Sequence, residues 1–573
     1  MKANRLSLVM LVGFLAIFAN LFWMQVVSWD YYRSLSEKNR IRVIYLEGPR
    51  GKILDRKNEI LASNRLSFNC SVIPREAKRR IHESCQIVAE ILGVDAEDLE
   101  KTYSRRKPGV FNTVLLAEGI SSGQAIAIEE RLDLLPGFLI ETRPQREYPY
   151  DESAAHLTGF TGPMNEAEVD ALESYGYRQA DWLGREGLEK SYESYLRGQS
   201  GGLQIEVDSR GRLIKPLGVK EPKEGRDLQL TIDAKLQAHV QKLLKEYKGA
   251  VAVMELNEGG LLSINSSPSF DPNLFASVNG RKEVGKYLHD SSAPMVNRGI
   301  RGQFPPGSTF KIITALAALE NHKITSHTSF TCPGYMMIGG KRFRCWSDAG
   351  HGAQSIFEAF AHSCDVFFYN TGLLVGADAI YEKSLEFGLS RPTGIDLPSE
   401  KKGFVPSKEW KKKVYHAGWY DGDTANFAIG QGYLQVTPIQ ALVVIAAAAT
   451  SGQLYKPHVI DKIDGVKVAE RSARSIEESS ENWKYVKEGL DQVVNSNTGT
   501  GRLARVAGLH IAGKTGTAQS GKGEDHAWFV GFAPVENPKI ALVVFLEHGG
   551  HGGVTAAKVA NSVFGWLKEA AYL

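Results

Sequence analysis

Ser308 and Lys311 are the first residues whose types and spacing could support a reaction, within GQFPPGSTFKIITALAALE (residues 302–320). The prolines and the glycine before Ser308 exclude helix, whereas the small and aliphatic residues after it predict a buried helix. Lys311 then lies one turn beyond Ser308 on the same face. A buried amine beside a serine hydroxyl can act as its base and make the serine a nucleophile. The alternative is an N-capping serine followed by a lysine whose amine reaches solvent.

A second polar group lies in GKTGTAQ (residues 513–519), a pattern that predicts a strand. Lys514, Thr515 and Thr517 carry an amine and two hydroxyls, a combination that can bind a carboxylate. Gly516 has no side chain, so a substrate backbone can approach the edge of the strand there. This segment is therefore a predicted substrate-binding strand.

Ser363 and Asp365 lie between these two segments, in AHSCDVFFYN (residues 361–370). In a loop, neighbouring side chains point in opposite directions, so both can face a cleft while Cys364 faces away from it. The order S-x-x-K, S-x-D, K-T-G on a predicted helix, loop and strand resembles that of the penicilloyl serine transferases. Because the carboxylate of Asp365 would favour a charged Lys311, the sequence leaves open which group is the resting base.

A third set of residues combines three thiols with one imidazole. Cys332, Cys345, His351 and Cys364 form a C-x12-C-x5-H-x12-C series. Together they make a complete tetrahedral set for structural zinc, with no position left for water. The sequence therefore predicts a zinc site in which Cys364 holds Ser363 from behind. Two alternatives stay open: a disulfide between Cys332 and Cys345, or three unrelated buried thiols and a surface histidine.

An uncharged N-terminal run, residues 6–29, predicts a transmembrane anchor over residues 7–28, because its length suits a bilayer. Lys2 and Arg5 precede it, so the positive-inside rule places residues 1–6 in the cytoplasm and the bulk of the chain in the periplasm. A cleaved signal peptide is the alternative, but the run is long for one and no small-residue cleavage site closes it. The net charge of +3 gives no indication of a nucleic-acid partner.

The remaining chain predicts two domains, residues 29–225 and residues 226–573. The first mixes helical and strand patterns, and KPLGVKEPKEGRD (residues 215–227) is the best linker candidate. The second opens with a hairpin in GAVAVMELNEGGLLSINSS and closes with three strand patterns and a helix. Two strands from one end and three from the other predict a five-stranded antiparallel sheet between helices, in an α+β fold.

Several longer segments resemble the class B penicillin-binding proteins, from near the anchor to the C-terminus. They are RGKILDRKNEILASN, GREGLEKSYESYLRG, NRGIRGQFPPGSTFK, NFAIGQGYLQVTPIQ and HAWFVGFAP. The S-x-D motif and the GHG before it resemble the penicillin-binding protein 2 branch, the transpeptidase of cell elongation and shape maintenance. The resemblance implies a single membrane helix, an elongated pedestal (a dimerisation-like domain) and a transpeptidase domain.

The resemblance also implies roles for the residues in the motifs. Ser308 attacks the penultimate D-Ala carbonyl of a peptidoglycan stem peptide, and Lys311 accepts its proton. Ser363 relays a proton to the leaving D-Ala, while the N–H groups of Ser308 and Thr517 form an oxyanion hole. An amine of a neighbouring stem peptide then resolves the acyl-enzyme.

Ligands and partners follow from the same resemblance. Lys514 and Thr515 hold the carboxylate of the substrate or of a β-lactam inhibitor, and the chemistry needs no cofactor. A SEDS-family glycosyltransferase and other elongation-complex membrane proteins are the implied partners, reached through anchor and pedestal.

Three other functions remain open from the sequence. A D,D-carboxypeptidase or β-lactamase could use the same serine, but no glutamate motif for activating a deacylating water is evident. A penicillin-sensing receptor would need further membrane segments or a cytoplasmic output. A division-branch transpeptidase would share most of the motifs.

Overall fold

The chain forms two compact units in a computed structural model, which describes residues 2–77, 80–105, 113–178, 181–207, 213–276, 280–469, 473–521 and 523–573. The first unit comprises Met1–Gly51, Arg65–Gln145 and Arg197–Gly225. The second comprises Lys52–Asn64, Arg146–Leu196 and Arg226–Leu573. Two segments that precede residue 226 thus pack with the C-terminal unit, and a single domain boundary at that residue stays a prediction.

The first unit begins with the expected long apolar helix. It runs over Lys2–Phe22 and continues as a π-helical turn, Trp23–Val27. Leu6–Val27 is long and apolar enough to cross a membrane. Its apolar side chains are exposed, as contact with lipid requires. The predicted N-terminal span is therefore present as a helix.

Two small sheets and four helices beyond Trp29–Arg40 complete the first unit. One sheet pairs Ile41–Leu46, Gly201–Val207 and Leu213–Lys220, all antiparallel. The other pairs the end of Ile60–Val72 with Val114–Ile120 and Phe138–Glu147. The helices are Pro74–Ala77, Ile81–Leu92, Ala96–Arg105 and Ser122–Glu129. Strand Leu213–Lys220 shows that the linker prediction was wrong over its first residues, because these residues pair with Gly201–Val207.

The second unit is built on a five-stranded antiparallel sheet, which confirms the prediction. Its order is Leu261–Ser267, Lys248–Glu255, Ile540–Glu547, His526–Ala533 and Ala512–Ala518. The pairing of Lys248–Glu255 with Ile540–Glu547 joins the two ends of the unit. Ala512–Ala518, called the KTG strand below, lies at the edge of the sheet.

Helices cover this sheet and explain why its strands are almost entirely buried. Ala234–Leu244, Pro438–Ala449 and Thr555–Glu569 pack against its strands. The unit also contains helices Ala155–Thr158, Glu166–Leu172, Gly187–Ser191, Glu193–Leu196, Arg281–His289, Arg298–Arg301, Ile356–Ala361, Asp365–Val375, Ala377–Glu386, Lys408–Tyr415, Asp421–Ala428 and Ser480–Asn495.

Short strands complete the second unit. Ile53–Leu54 pairs antiparallel with the start of Ile60–Val72 and parallel with Leu228–Leu230. The others pair Leu228–Leu230 with Ile460–Ile463, Ile460–Ile463 with Val466–Lys467, Thr161–Pro163 with Trp182–Gly184, Phe330–Cys332 with Gly352–Gln354, Tyr335–Ile338 with Lys341–Arg344, and Gln453–Leu454 with Arg474–Ser475.

A buried helix, Lys311–Glu320, follows a 3-10 turn over Gly307–Phe310. Every residue from Lys311 to Leu319 is buried, because the helix packs on three sides against Asp365–Val375, Ala377–Glu386 and Ser480–Asn495. Apolar side chains on every side of the helix make these contacts. Below it is called the SxxK helix.

We expect the sheet to set the stability of the second unit. Leu542→Ala empties a fully buried position on Ile540–Glu547, and such changes cost about 2–5 kcal/mol of unfolding free energy. Val466→Ala removes a side chain that is 71% exposed and should cost no more than about 0.5 kcal/mol. Denaturant unfolding of the detergent-solubilised chain measures both, and equal losses would contradict the expectation.

Candidate functional site

Ser308 lies in the 3-10 turn that precedes the SxxK helix, against the KTG strand. Gly307 has a φ of +54°, and a Cβ there would lie 2.8 Å from the carbonyl oxygen of Thr517. Only glycine allows this close approach in this conformation. Trp528 Nε1 donates to the carbonyl of Pro305 at 3.0 Å, which ties the turn to the sheet. The hydroxyl of Ser308 is partly exposed and makes no hydrogen bond to another described residue.

Lys311 is fully buried, and its amine binds the S-x-D turn (Ser363–Asp365) instead of Ser308. Nζ donates to Asp365 Oδ1 at 2.8 Å, to the carbonyl of Ser363 at 2.8 Å and more weakly to Ser363 Oγ at 3.4 Å. The ring of Phe368 lies beneath it, with Nζ 5.2 Å from the centroid. These contacts use the three donors of an ammonium. A base needs a free lone pair, so these contacts must change before the Lys311 amine can accept a proton from Ser308.

Ser363 adopts a strained backbone that carries its hydroxyl between two amines. Its φ is +53°, in the left-handed region, where a non-glycine residue costs about 1–3 kcal/mol. The residue lies between helices Ile356–Ala361 and Asp365–Val375. Its Oγ accepts from Lys514 Nζ at 2.9 Å and faces Lys311 Nζ at 3.4 Å. The hydroxyl thus joins the two lysines.

Lys514 is fully buried on the KTG strand and is also directed at Ser363. Besides Ser363 Oγ, its Nζ donates to the carbonyl of Thr515 at 2.9 Å. Burial lowers the pKa of Lys514 well below its usual value, and the positive charge of Lys311 lowers it further. A neutral amine here can accept a proton through Ser363, a role that the sequence did not indicate.

The edge of the KTG strand approaches the start of the SxxK helix at Gly516. A Cβ at Gly516 would lie 3.0 Å from the carbonyl oxygen of Pro306 and 3.0 Å from Thr309 Cγ2. Glycine therefore lets the strand lie next to Ser308. Among the described residues, no strand pairs with the outer edge of the KTG strand, so an extended peptide can align there.

The hydroxyls of Thr515 and Thr517 are each held by a loop that the sequence patterns did not connect with the site. Thr515 Oγ1 lies 2.8 Å from Thr500 Oγ1. Thr517 Oγ1 accepts from the N–H of Gly552 at 3.3 Å. Thr500 and Gly552 carried no motif of their own, so only the tertiary structure reveals their proximity.

Trp346 is a further neighbour that the sequence did not indicate. Its backbone N–H donates to Asp365 Oδ2 at 3.2 Å, and its indole Nε1 donates to the carbonyl of His362 at 2.8 Å. The carboxylate of Asp365 is thereby fixed through both oxygens, one on Trp346 and the other on Lys311.

Cys332, Cys345, His351 and Cys364 converge behind the S-x-D turn, with one possible ligand atom from each within 4.8 Å of the others. His351 Nδ1 lies 3.6 Å from both Cys332 Sγ and Cys345 Sγ. A zinc tetrahedron with Zn–S of about 2.3 Å and Zn–N of about 2.1 Å has an S-to-N edge of about 3.6 Å. All five cysteines are free thiols, so the disulfide alternative does not form here.

The thiols of this cluster shift one another's pKa. The hydrogen bond from Cys364 is the main cause that lowers the pKa of Cys345, and the same contact together with burial raises the pKa of Cys364. A lowered pKa favours the thiolate form of Cys345, which is the form that binds a metal ion. His351 Nε2 is buried without a hydrogen-bond partner among the described residues. Its Nδ1 is the nitrogen that faces the thiols.

Comparison with known proteins now gives the context for this geometry. The penicillin binding protein transpeptidase domain matches residues 249–565, and the penicillin-binding protein dimerisation domain matches residues 45–230. Peptidoglycan D,D-transpeptidase MrdA of Haemophilus influenzae is 32% identical, over 97% of this chain and 90% of that protein. The chain belongs to the class B penicillin-binding proteins.

Within that family, the solved structures point to one branch. Penicillin-binding protein 2 of Helicobacter pylori, in complex with MreC, has a TM-score of 0.84 and 29% identity, covering 93% of this chain and 100% of that chain. A chain of a peptidoglycan synthase complex that coordinates polymerization and crosslinking has a TM-score of 0.75 and 29% identity, covering 98% and 97%. The resemblance to the penicillin-binding protein 2 branch is therefore confirmed, and the division branch is not favoured.

The ion pair between Lys311 and Asp365 should matter to stability because Lys311 has no access to solvent. Asp365→Ala leaves a buried ammonium without its carboxylate, and breaking such a pair costs about 3–5 kcal/mol. Asp378→Ala is the matched control, since the Lys408–Asp378 pair is 45% and 66% exposed and should contribute no more than about 1 kcal/mol. Denaturant unfolding of the two variants tests this. Losses of the same size would show that the burial of Lys311 does not increase the contribution of its ion pair to the free energy of unfolding.

Proposed function

We propose that this chain, a peptidoglycan D,D-transpeptidase of cell elongation, cross-links stem peptides through an acyl-enzyme on Ser308. One observation carries the assignment of residues: the Ser363 hydroxyl lies between the amines of Lys311 and Lys514, and Ser308 lies in the turn that leads into the helix of Lys311. This arrangement can move protons in both directions without bulk water. β-Lactams would react at the same hydroxyl.

Acylation requires Lys311 to become a base before Ser308 attacks. The hydrogen bond between Lys514 Nζ and Ser363 Oγ first reverses its direction, which requires a neutral Lys514 amine, the form that its lowered pKa favours. A proton then moves from the Lys311 ammonium to the Ser363 oxygen while the Ser363 proton passes to Lys514. Neutral Lys311 then accepts the Ser308 proton as Oγ bonds to the penultimate D-Ala carbonyl carbon. The two steps conserve charge, and they leave Lys514 as an ammonium that can pair with the substrate's terminal carboxylate.

Collapse of the tetrahedral intermediate reverses part of this relay. The C–N bond to the terminal D-Ala breaks, and the leaving amine takes a proton from Ser363, which Lys311 replaces. The N–H groups of Ser308 and Thr517 are proposed to stabilise the oxyanion. Thr515, together with Lys514, holds the carboxylate. An amine of a second stem peptide then attacks the ester carbonyl carbon and gives a proton to neutral Lys311. The ester C–O bond breaks, and Lys311 returns that proton to the Ser308 oxygen, which regenerates the hydroxyl.

For the placement in the cell, we propose the predicted single-pass topology. Residues 1–6 lie in the cytoplasm, residues 7–28 span the inner membrane, and residues 29–225 form the pedestal of a periplasmic region that includes the transpeptidase domain, residues 226–573. The similarity to proteins solved with MreC and within a peptidoglycan synthase complex supports elongation-complex partners. A SEDS-family glycosyltransferase is the partner we propose for the anchor and pedestal.

For the cluster behind the S-x-D turn, we propose structural zinc held by Cys332, Cys345, His351 and Cys364. The support is the 3.6 Å separation of His351 Nδ1 from two sulfurs and the lowered pKa of Cys345. Zinc would supply no step of the reaction. It would fix the position of Cys364 and, through the peptide bond that the two residues share, the conformation of Ser363.

Removing Ser308 tests the proposed nucleophile directly. Ser308→Ala should lose covalent labelling by benzylpenicillin, because the neighbouring hydroxyl, that of Thr309, is buried and donates to the carbonyl of Pro306 at 2.9 Å. Intact-mass spectrometry of the solubilised chain measures the adduct, with Ser562→Ala on a C-terminal helix as the control. In wild type the adduct should persist for many minutes, whereas rapid turnover would favour a hydrolase. Normal labelling of Ser308→Ala would refute the assignment.

Metal content tests the zinc proposal. The purified wild-type chain should contain about one zinc per molecule, and Cys364→Ala should contain less than half of that and acylate more slowly. Cys85→Ala is the control, since burial raises the pKa of that thiol to about 11 and it lies outside the cluster. Elemental analysis would refute the proposal if Cys364→Ala retained one zinc or wild type contained none.

A further inference from the structure

Thr500 lies in the loop between helix Ser480–Asn495 and the KTG strand, and its hydroxyl faces Thr515. The two Oγ1 atoms are 2.8 Å apart, and either can be the donor. Thr515 is 5% exposed, so no solvent competes effectively for this contact. No other side-chain hydrogen bond of Thr515 is described.

A hydroxyl has one proton, and this limits how Thr515 can bind a carboxylate. If Thr515 donated to Thr500, it could not also donate to a substrate. A carboxylate only accepts hydrogen bonds, so its arrival favours the direction Thr500 to Thr515 to carboxylate. In this direction each bond polarises the next one and strengthens it. Thr500 then orients the proton of Thr515 toward the ligand.

The backbone around Thr500 is held well enough for such a role. Its N–H donates to the carbonyl of Ala361 at 3.0 Å, two residues before Ser363. Gly553 packs so closely that a Cβ there would lie 2.5 Å from the Thr500 carbonyl oxygen. The loop is therefore fixed from two sides, against the helix that leads into the S-x-D turn and against the C-terminal loop.

We propose that Thr500 is a positioning residue for carboxylate recognition: it donates to Thr515 Oγ1 and so reserves the Thr515 proton for the carboxylate of stem peptides and penicillins. The inference rests on the proposed function, in which Thr515 binds that carboxylate. It adds a residue from outside the three motifs.

The test compares an acid with its ester on the full-length, solubilised chain. Second-order acylation rate constants are measured for benzylpenicillin and for benzylpenicillin methyl ester, which lacks the carboxylate charge. Thr500→Val keeps the shape and removes the hydroxyl. It should lose about tenfold with the acid, equivalent to about 1.4 kcal/mol, but less than about threefold with the ester. Thr500→Ser restores the hydroxyl and should recover most of the loss.

Two further variants separate positioning from general damage. Thr450→Val, a partly buried threonine whose hydroxyl bonds only backbone carbonyls, should leave both rate constants unchanged. Thr515→Val should lose its preference for the acid, and adding Thr500→Val to it should cause little further loss, since the two hydroxyls act in one chain. If Thr500→Val does not fold, Thr500→Ala is measured in the same way.

The outcomes are distinct from those of the Ser308 test. The role of Thr500 would be overturned if Thr500→Val lost the same factor with the acid and with the ester, so that their ratio stayed unchanged. It would also be overturned if the effects of Thr500→Val and Thr515→Val were additive. In either case Ser308 would remain the nucleophile. Labelling that survives in Ser308→Ala would instead remove the proposed function itself.

Discussion

Two lysine amines are buried on either side of one serine hydroxyl, and this arrangement constrains the rest of the site. Lys311 and Lys514 are both fully buried, yet Asp365 is the one carboxylate whose contact with either amine is described. Two ammonium groups at such a place carry a large desolvation cost, which favours the neutral form of one amine. The pKa of Lys514 is the one that burial lowers. A proton shared across Ser363 is the physical consequence.

The scaffold supplies this arrangement by bringing three distant segments to one point. The SxxK helix carries Lys311, the edge of the sheet carries Lys514, and a strained turn between two helices carries Ser363. Gly307 and Gly516 allow the turn and the strand to touch where any side chain would separate them. The buried helix and sheet around them provide the packing that holds a non-glycine residue at a positive φ.

The Cys/His cluster explains why a cysteine stands between a serine and an aspartate. Cys364 faces the thiols and the imidazole behind the turn, whereas Ser363 and Asp365 face the two lysines. The S-x-D turn therefore has the polar reaction site on one side and the proposed metal site on the other. Any ligand that fixes Cys364 also restricts the conformation of Ser363, since the two share a peptide bond.

The sequence alone determined the features that local patterns encode. Apolar periodicity and turn residues gave the membrane helix, the hairpin and the five-stranded sheet, and the motif order gave the family. The Cys/His set was also evident from the sequence, because its four residue types lie near one another in the chain and together suit a zinc ion. Local patterns failed at the predicted linker, where Leu213–Lys220 pairs as a strand, and they did not indicate that residues 52–64 and 146–196 pack with the C-terminal unit.

Only the tertiary structure decided which atoms are partners. Lys514 donates to Ser363, Trp346 fixes Asp365, and Thr500 faces Thr515, although the first two contacts join residues 151 and 19 positions apart. Hydrogen bonds of this kind depend on positions accurate to a few tenths of an ångström, which result from the packing of whole helices and strands. No periodicity or spacing in the chain encodes them. The residue types could therefore be read from the sequence, but their protonation and their pairing could not.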